Sequence, residues 1–455
     1  MSFLRQQLWR FGNTLAGSRA WQCYQEFLRL GSGSPETLSE LSKRRLERLV
    51  AHAVREVPYY REHSRSANRL EDFPILTKRA IREHFFELMT PALAAAYPRR
   101  GGGYGWVAVQ TGGTSGVPTT VVHGPTFRDY GRAARAYSQT LCGFPPGTPY
   151  LRLWGSMKDI QQMGESLVQR AQRWVAGETL LNAFRMDRDR MRGYLDRLSQ
   201  SRARHLMAYV DCAAELARFA RSAGIRVRPL ASIMACAGTV TEDVRRLLED
   251  TFGGRVHNNY GSRDCSAMAC ECSEGGLHIY TNHAVLEVVD DSGAPLPAGA
   301  SGRILVTLLH NYEFPLIRYE IGDVGALEAK PCRCGSAFPR LARVEGRVQE
   351  RIRTPAGTYL SPVYVRHLVG VVHNPGLVRR FQLVQETPVE FLLRLELEPG
   401  TDDEAYRRVA ARLVEGLQSV LGQECRIRLR RESRIEEEAS GKFLYVVSRQ
   451  ERVCG

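Results

Sequence analysis

The stretch WVAVQTGGTSGVPTTVVH, residues 106–123, sets the frame for the whole chain. Two apolar runs, WVAVQ and TTVVH, flank a glycine-rich centre, the order of a strand, a turn and a second strand. Gly112, Gly113 and Gly116 allow positive φ and let backbone N–H groups converge on an anion. Thr111, Thr114 and Ser115 add hydroxyl donors. The run lacks the closing Lys-Ser/Thr pair of a nucleotidase P-loop. Taken alone, it reads equally well as a surface glycine turn.

Outward from this centre the texture changes twice. Residues 1–85 read as helical: in SELSKRRLERLVAHAVREV the apolar positions Leu46, Val50, Val54 and Val57 recur at near-helical spacing, and Pro58 ends the run. In PILTKRAIREHF, Thr77 is placed to cap a helix starting at Lys78. Beyond the glycine-rich centre, helical stretches at 126–140, 187–201 and 211–223 alternate with short strands such as ASIMAC. This alternation predicts an α/β layer architecture. From 284 to 310 half-buried strands take over (AVLEVVDDSG, GRILVTLL). After a boundary near Gly346–Gln349, residues 350–455 read as a small α+β domain: FQLVQE, EFLLRLELE, a long helix DEAYRRVAARLVEGLQSVLG, then CRIRLR and FLYVVSR.

Length and composition agree with this division. The chain has 455 residues, 43% hydrophobic and 25% charged, which excludes a disordered, collagen-like or disulfide-stapled protein. Its formal charge is +14, which suits an anionic partner. Bases are interleaved with acids, as around Arg45, Arg48, Arg55 and Arg61, and no nucleic-acid-binding signature is present, so no nucleic-acid partner is expected. No apolar run reaches the roughly 18 residues of a membrane span, and no secretory signal is evident. The apolar-basic start MSFLRQQLWRFG leaves an interfacial role open for the first helix. The expected compartment is the cytoplasm. Its reducing conditions make Cys23, Cys142, Cys212 and Cys236 small core residues.

Five motifs in order, TGGTSGVP (111–118), HNNYGSRD (257–264), LIRYEIGD (316–323), GR (346–347) and SGK (440–442), resemble those of the adenylate-forming superfamily. With VPYYREH and PILTKRAI, the resemblance is closest to its phenylacetate-CoA ligase and capsule-biosynthesis branch. It covers almost the whole chain. It implies an α/β fold with a large multi-subdomain adenylation domain (a helical region at 1–85 and a core at 86–347) and a small mobile α+β lid (350–455). It also implies ATP, Mg²⁺ and a carboxylic acid as reactants, with transfer of the acyl group to a thiol.

The resemblance assigns roles residue by residue. Thr111, Gly112, Gly113, Thr114, Ser115 and Gly116 would cradle the β- and γ-phosphates, with Thr114 counted among the catalytic groups. Thr119 stands where most of the superfamily has Lys; the closest branch also lacks that Lys. Tyr260 and Gly261 would lie beside adenine, Asp264 would hold Mg²⁺ in place of the usual Glu, and Asp323 would accept bonds from the ribose. Arg318 and Arg347 would serve near the phosphate and ribose. Lys442 would stabilise charge on the α-phosphate and the carboxylate. Gln349 falls at the hinge, where Asp or Lys is commoner.

Cys272 and His278 in ECSEGGLH, with Cys332 and Cys334 in PCRCG, offer a four-donor Zn²⁺ set, and they resemble a zinc-binding insertion of this branch. A cluster of reduced thiols is the alternative, and Cys265 and Cys270 are spare donors. Trp154, Phe184, Tyr209 and Met234 either line an acyl pocket or belong to the core. Ala237 is followed by Gly238 where related ligases often carry Glu.

The leading expectation is an ATP-dependent acid–CoA ligase. An acyl-carrier-protein thiol or an amine as acceptor stays open, and so does an inactive adenylate-binding scaffold. The basic surface would suit CoA phosphates or an acidic carrier. A homodimer is compatible with the sequence.

Overall fold

The computed structural model describes residues 2–64, 67, 69–98, 105–110, 119–154, 167–183, 186, 188–238, 240–346, 352–355, 359–360, 365, 368–369, 377–435 and 445–448. Contacts divide the chain into two units, a larger one holding most of the chain up to residue 346 and a smaller one holding the residues from 352 onward.

The larger unit opens with helices α1 (Ser2–Leu15), α2 (Ala20–Gly31), α3 (Pro35–Glu56), α4 (Pro58–His63), α5 (Lys78–Glu83) and α6 (Pro91–Ala96). Their ends follow the capping chemistry in the sequence. Ser34 Oγ accepts the Thr37 N–H at 3.2 Å and Pro35 fills the first turn of α3. The expected cap on α5 is present, with Thr77 Oγ1 accepting the Ala80 N–H at 3.1 Å. Pro58 does more than end α3: with no N–H to lose there, it also opens α4.

Strands β1 (Val107–Gln110) and β2 (Thr120–His123) form the antiparallel pair expected on either side of the glycine-rich run, with Gln110 opposite Thr120. The α/β layer follows as α7 (Pro125–Leu141), β3 (Tyr150–Trp154), α8 (Leu167–Ala176), β4 (Glu178–Asn182), α9 (Arg188–Gln200), β5 (His205–Tyr209), α10 (Val210–Ser222), β6 (Ser232–Cys236), α11 (Glu242–Phe252) and β7 (Arg255–Ser262). Strands β3, β5, β6 and β7 are parallel neighbours. All five residues of β6 are buried, as a parallel strand covered on both faces requires.

Antiparallel strands complete the sheet: β8 (Ser266–Glu271), β9 (Leu277–Ile279), β10 (Ala284–Val289), β11 (Gly302–Leu308), β12 (Tyr319–Glu328) and β13 (Arg340–Gly346). Among the described residues one eleven-stranded sheet runs β10-β11-β12-β13-β9-β8-β7-β6-β5-β3-β4. A buried core of Phe73, Leu76, Ile81, Tyr260, Met268, Ile304 and Tyr319 ties α5 and the amino-terminal helices to this sheet.

The smaller unit contains β14 (Ile352–Arg353), β15 (Tyr359–Leu360), β16 (Val378–Gln385), β17 (Glu390–Leu397), α12 (Asp403–Leu421), β18 (Arg426–Glu432) and β19 (Val446–Ser448). Its four-stranded sheet has the order β18-β17-β16-β19. Helix α12 is capped by Asp402, which accepts the Ala405 N–H at 2.7 Å. The helix buries Val409, Leu413, Leu417 and Leu421, one residue per turn.

Candidate functional site

The parallel strands β3, β5, β6 and β7 all point their carboxyl ends toward the same rim, the edge at which ligands bind in open α/β sheets. Several of the expected site residues stand there. Trp154 ends β3 and Tyr209 ends β5, and their rings lie 4.0 Å apart between centroids, tilted by 30°. The Arg152 guanidinium sits 4.6 Å from the Trp154 ring centre. After β6, Ala237 takes the left-handed region at φ 53°, and Gly238 presses on Val210, so a Cβ there would come within 2.8 Å of the Val210 Cβ. Met234 is fully buried with Tyr130, Tyr137 and Cys236, which makes it core.

β7 carries Tyr260 and Gly261. A side chain at Gly261 would meet the Ser266 carbonyl at 2.3 Å, so glycine is what lets the tight β7–β8 return form. Tyr260 is 8% exposed, and its hydroxyl donates to Asp323 Oδ2 at 3.1 Å. Burial first, and then Asp323, holds the phenol well above its ordinary pKa. Asp264 on the return is 3% exposed and accepts the Tyr319 hydroxyl at 2.5 Å. The Asp264 carbonyl accepts the His123 Nε2–H at 2.9 Å. Two hydroxyl–carboxylate bonds therefore cross between the β7 segment and β12. In the sheet order β8, β9 and β13 separate these strands, a flat distance of about 19 Å at normal strand spacing. The sheet must curl for these bonds to form.

Helix α5 adds two cations on one face, at i and i+4. Lys78 Nζ donates to the Ile321 carbonyl at 3.3 Å, and Arg82 Nη1 donates to the buried Thr119 Oγ1 at 3.1 Å. The motif reading missed Lys78, Arg82, His123 and Tyr319 as site residues. The signal for the first two was their four-residue spacing after the Thr77 cap.

Arg318 is held by the fold of the larger unit. It is 4% exposed, with its backbone at φ 49°. Its Nε donates to Glu287 at 3.1 Å, Nη1 to the Glu71 and Phe73 carbonyls at 3.0 and 3.2 Å, and Nη2 to the Gly293 carbonyl at 2.7 Å. Four of its donors are engaged by the fold, so the side chain clamps the 69–76 segment to the sheet. Of the other expected residues, Thr111, Gly112, Gly113, Thr114, Ser115, Gly116, Phe184, Arg347, Gln349 and Lys442 lie outside the described residues.

Cys272, His278, Cys332 and Cys334 converge, with their ligand atoms all within 4.8 Å of one another. Cys272 Sγ and Cys332 Sγ are 3.7 Å apart, and Cys334 Sγ is 3.2 Å from His278 Nε2. A tetrahedral ion with Zn–S bonds of about 2.3 Å needs sulfurs about 3.8 Å apart, so the donors fit Zn²⁺. His278 Nδ1–H donates to the Phe338 carbonyl at 2.8 Å, which leaves Nε2 as the donor toward the cluster. The Glu274 N–H donates to Cys272 Sγ at 3.3 Å. Gly276 abuts the group, and a Cβ there would lie 2.7 Å from Cys332 Sγ. The spare candidates stand apart: Cys265 is fully buried beside Asp264, and Cys270 is paired at 3.7 Å with Cys142.

Comparison with known proteins agrees with this geometry. Residues 352–449 match the CapK C-terminal domain model. The chain is 27% identical over 409 residues to a phenylacetate-coenzyme A ligase of Thermus thermophilus, covering 83% of this chain and 88% of that protein. It is 24% identical over 207 residues to Protein CapK of Staphylococcus aureus, covering 45% and 44%. In fold it resembles a 2-hydroxyisobutyryl-CoA ligase solved with 2-HIB-AMP and CoA, with a TM-score of 0.60, 19% identity and coverage of 92% and 91%. Over most of its length the chain is thus similar in sequence to phenylacetate-CoA ligases, its carboxy-terminal residues match the CapK C-terminal domain, and its fold is that of an adenylate-forming CoA ligase.

Proposed function

We propose that this protein activates a carboxylic acid with ATP and passes the acyl group to coenzyme A. The observation that carries the reading is the crossed pair Tyr260–Asp323 and Tyr319–Asp264, at the sheet rim that also holds Trp154 and Tyr209. It fixes two carboxylates on the sheet whose rim also carries Trp154 and Tyr209, which supports a nucleotide bound next to an acyl group. In the reaction, a substrate carboxylate oxygen attacks the α-phosphorus and pyrophosphate leaves. The CoA sulfur then attacks the acyl carbonyl and AMP leaves.

In this reading Asp323, oriented by the Tyr260 hydroxyl, accepts bonds from the ribose. Asp264, oriented by Tyr319, holds Mg²⁺. The ion supplies neutralising charge to the phosphates. Thr111, Gly112, Gly113, Thr114, Ser115 and Gly116 donate to the phosphates, Arg347 sits near the ribose, and Lys442 stabilises charge at the α-phosphate. Trp154 and Tyr209 wall the acyl side. The Cys272, His278, Cys332 and Cys334 quartet holds Zn²⁺ in a closed set with no open position, so its role is structural.

Carboxylate-dependent ATP–pyrophosphate exchange over a panel of acids tests the proposal. Exchange with at least one acid, abolished by Lys442→Ala, supports it, and no exchange with any acid refutes it. Supplying CoA, a carrier protein and amines separately then identifies the acceptor.

A further inference from the structure

Nine large apolar side chains stand exposed among the described residues, and six of them lie on two helices that pack together: Phe3, Leu4, Phe11 and Leu15 on α1, and Val168 and Trp174 on α8. Phe3 and Leu15 are each 72% exposed. At 100° per residue, Leu4, Phe11 and Leu15 fall within about 40° of one another around α1. The opposite face is the one that packs inward. There Trp9 meets Trp21 and Tyr24 at centroid distances of 5.8 and 6.1 Å, and Asn13 is buried. Among the described residues, the outward apolar stripe is left uncovered.

Charge on the two helices has one sign. α1 carries Arg5 and Arg10, α8 carries Arg170 and Arg173, and neither contains an acidic residue. The Arg5 guanidinium lies 5.1 Å from the Trp174 ring centre, so basic and aromatic groups are interleaved. The chain as a whole is at +14.

We propose that the α1–α8 face docks on an anionic membrane surface, with α1 lying in the interfacial plane. Phe3, Phe11, Leu15 and Trp174 would enter the headgroup–acyl boundary while the arginines meet lipid phosphates. Charge complementarity selects this occupant. A second copy placed on the same face would set arginine-bearing helices against each other, and Glu178, just past α8, is already engaged by Arg173 at 3.9 Å.

Vesicle flotation of the full chain tests it. The protein is expected to co-float with phosphatidylcholine vesicles containing about 30 mol% phosphatidylglycerol, at least about tenfold more than with phosphatidylcholine alone, and to be released by salt. The double variant Phe11→Glu/Leu15→Glu is expected to lose at least about tenfold of that binding, with its circular dichroism and its ATP–pyrophosphate exchange unchanged. Arg5→Gln/Arg10→Gln is expected to lose the preference for anionic vesicles. Absence of co-flotation with anionic vesicles overturns the proposal. So does unaltered vesicle binding by the Phe11→Glu/Leu15→Glu variant, including the case where light scattering shows that it dissociates a dimer or where an acidic protein binds this face in place of lipid.

Discussion

Replacing Arg318 with Met separates a clamp from a catalytic group. The substitution keeps much of the apolar stem but leaves Glu287, whose side chain is 11% exposed, without its cation. It also removes the donors to the Glu71, Phe73 and Gly293 carbonyls. Breaking a buried ion pair from one side costs about 3–5 kcal/mol. The stranded carbonyls raise this to roughly 4–6 kcal/mol, partly relieved where water reaches them. Against a typical stability of about 5–15 kcal/mol that is a large fraction. Thermal and urea unfolding followed by tryptophan fluorescence should show it. Glu287→Met added to Arg318→Met should recover about 2 kcal/mol or more, because the uncompensated charge is gone.

The pH dependence of the single variant has a definite sign. Burial already raises the Glu287 pKa, and Arg318 opposes the rise. Without Arg318 the folded value climbs further above the unfolded one. The variant's deficit is then smallest below the unfolded pKa and grows as pH rises through the folded one. An Arg318→Met protein with wild-type unfolding midpoints and exchange activity reduced a hundredfold or more would refute the clamp and restore the catalytic role.

Three further outcomes follow from the geometry. Gly276→Ala drives a Cβ to 2.7 Å from Cys332 Sγ, so zinc measured by plasma mass spectrometry should fall well below one per chain; full retention counts against the quartet. Tyr319→Phe removes the hydroxyl held by Asp264 and should cost about 1.5–3 kcal/mol of positioning, seen as a 10–100-fold loss in exchange and a raised Mg²⁺ requirement; an unchanged Mg²⁺ dependence removes Asp264 from that role. Burial lowers His283 to about 3 and His205 to about 4, so the unfolded chain takes up protons that the native form refuses. Stability should therefore be full above the ordinary histidine pKa and decline as pH falls from about 6.5 toward 4. His283→Phe should flatten that slope in melting experiments, and an unchanged slope argues against the assignment.

Local chemistry was legible in the sequence wherever one segment decided it. The Thr77 cap, the β1–β2 pair and the apolar stripe of α12 all follow from neighbouring residues, and the structure reproduces each. The Cys/His set was legible because its donor types are scarce and fall in two short stretches, 272–278 and 332–334. The reach of Tyr319 to Asp264 was not, since nothing in RYE or SRD signals how far a sheet will curl. A tyrosine in a strand reads as core, and Tyr319 is both core and site. The surroundings of Arg318 were hidden too: it adjoins the motif in sequence, and nothing there signals that its backbone is left-handed and its side chain bonded to Glu287.

The eleven-stranded sheet has a narrow seam. Its parallel half reaches β12 only through β9, three residues long, which pairs with β13 at His278 and Leu277 alone. Within the sheet, the curvature that brings Tyr260 to Asp323 passes across that strip. His278 lies in the strip, and the thiols of Cys332 and Cys334 come from the loop just before β13. A metal there would act as a rivet across the joint, stiffening the frame on which the two halves are aligned. A chain deprived of it would keep both halves folded but lose their alignment, so metal supply would govern how faithfully the distant carboxylates are aimed.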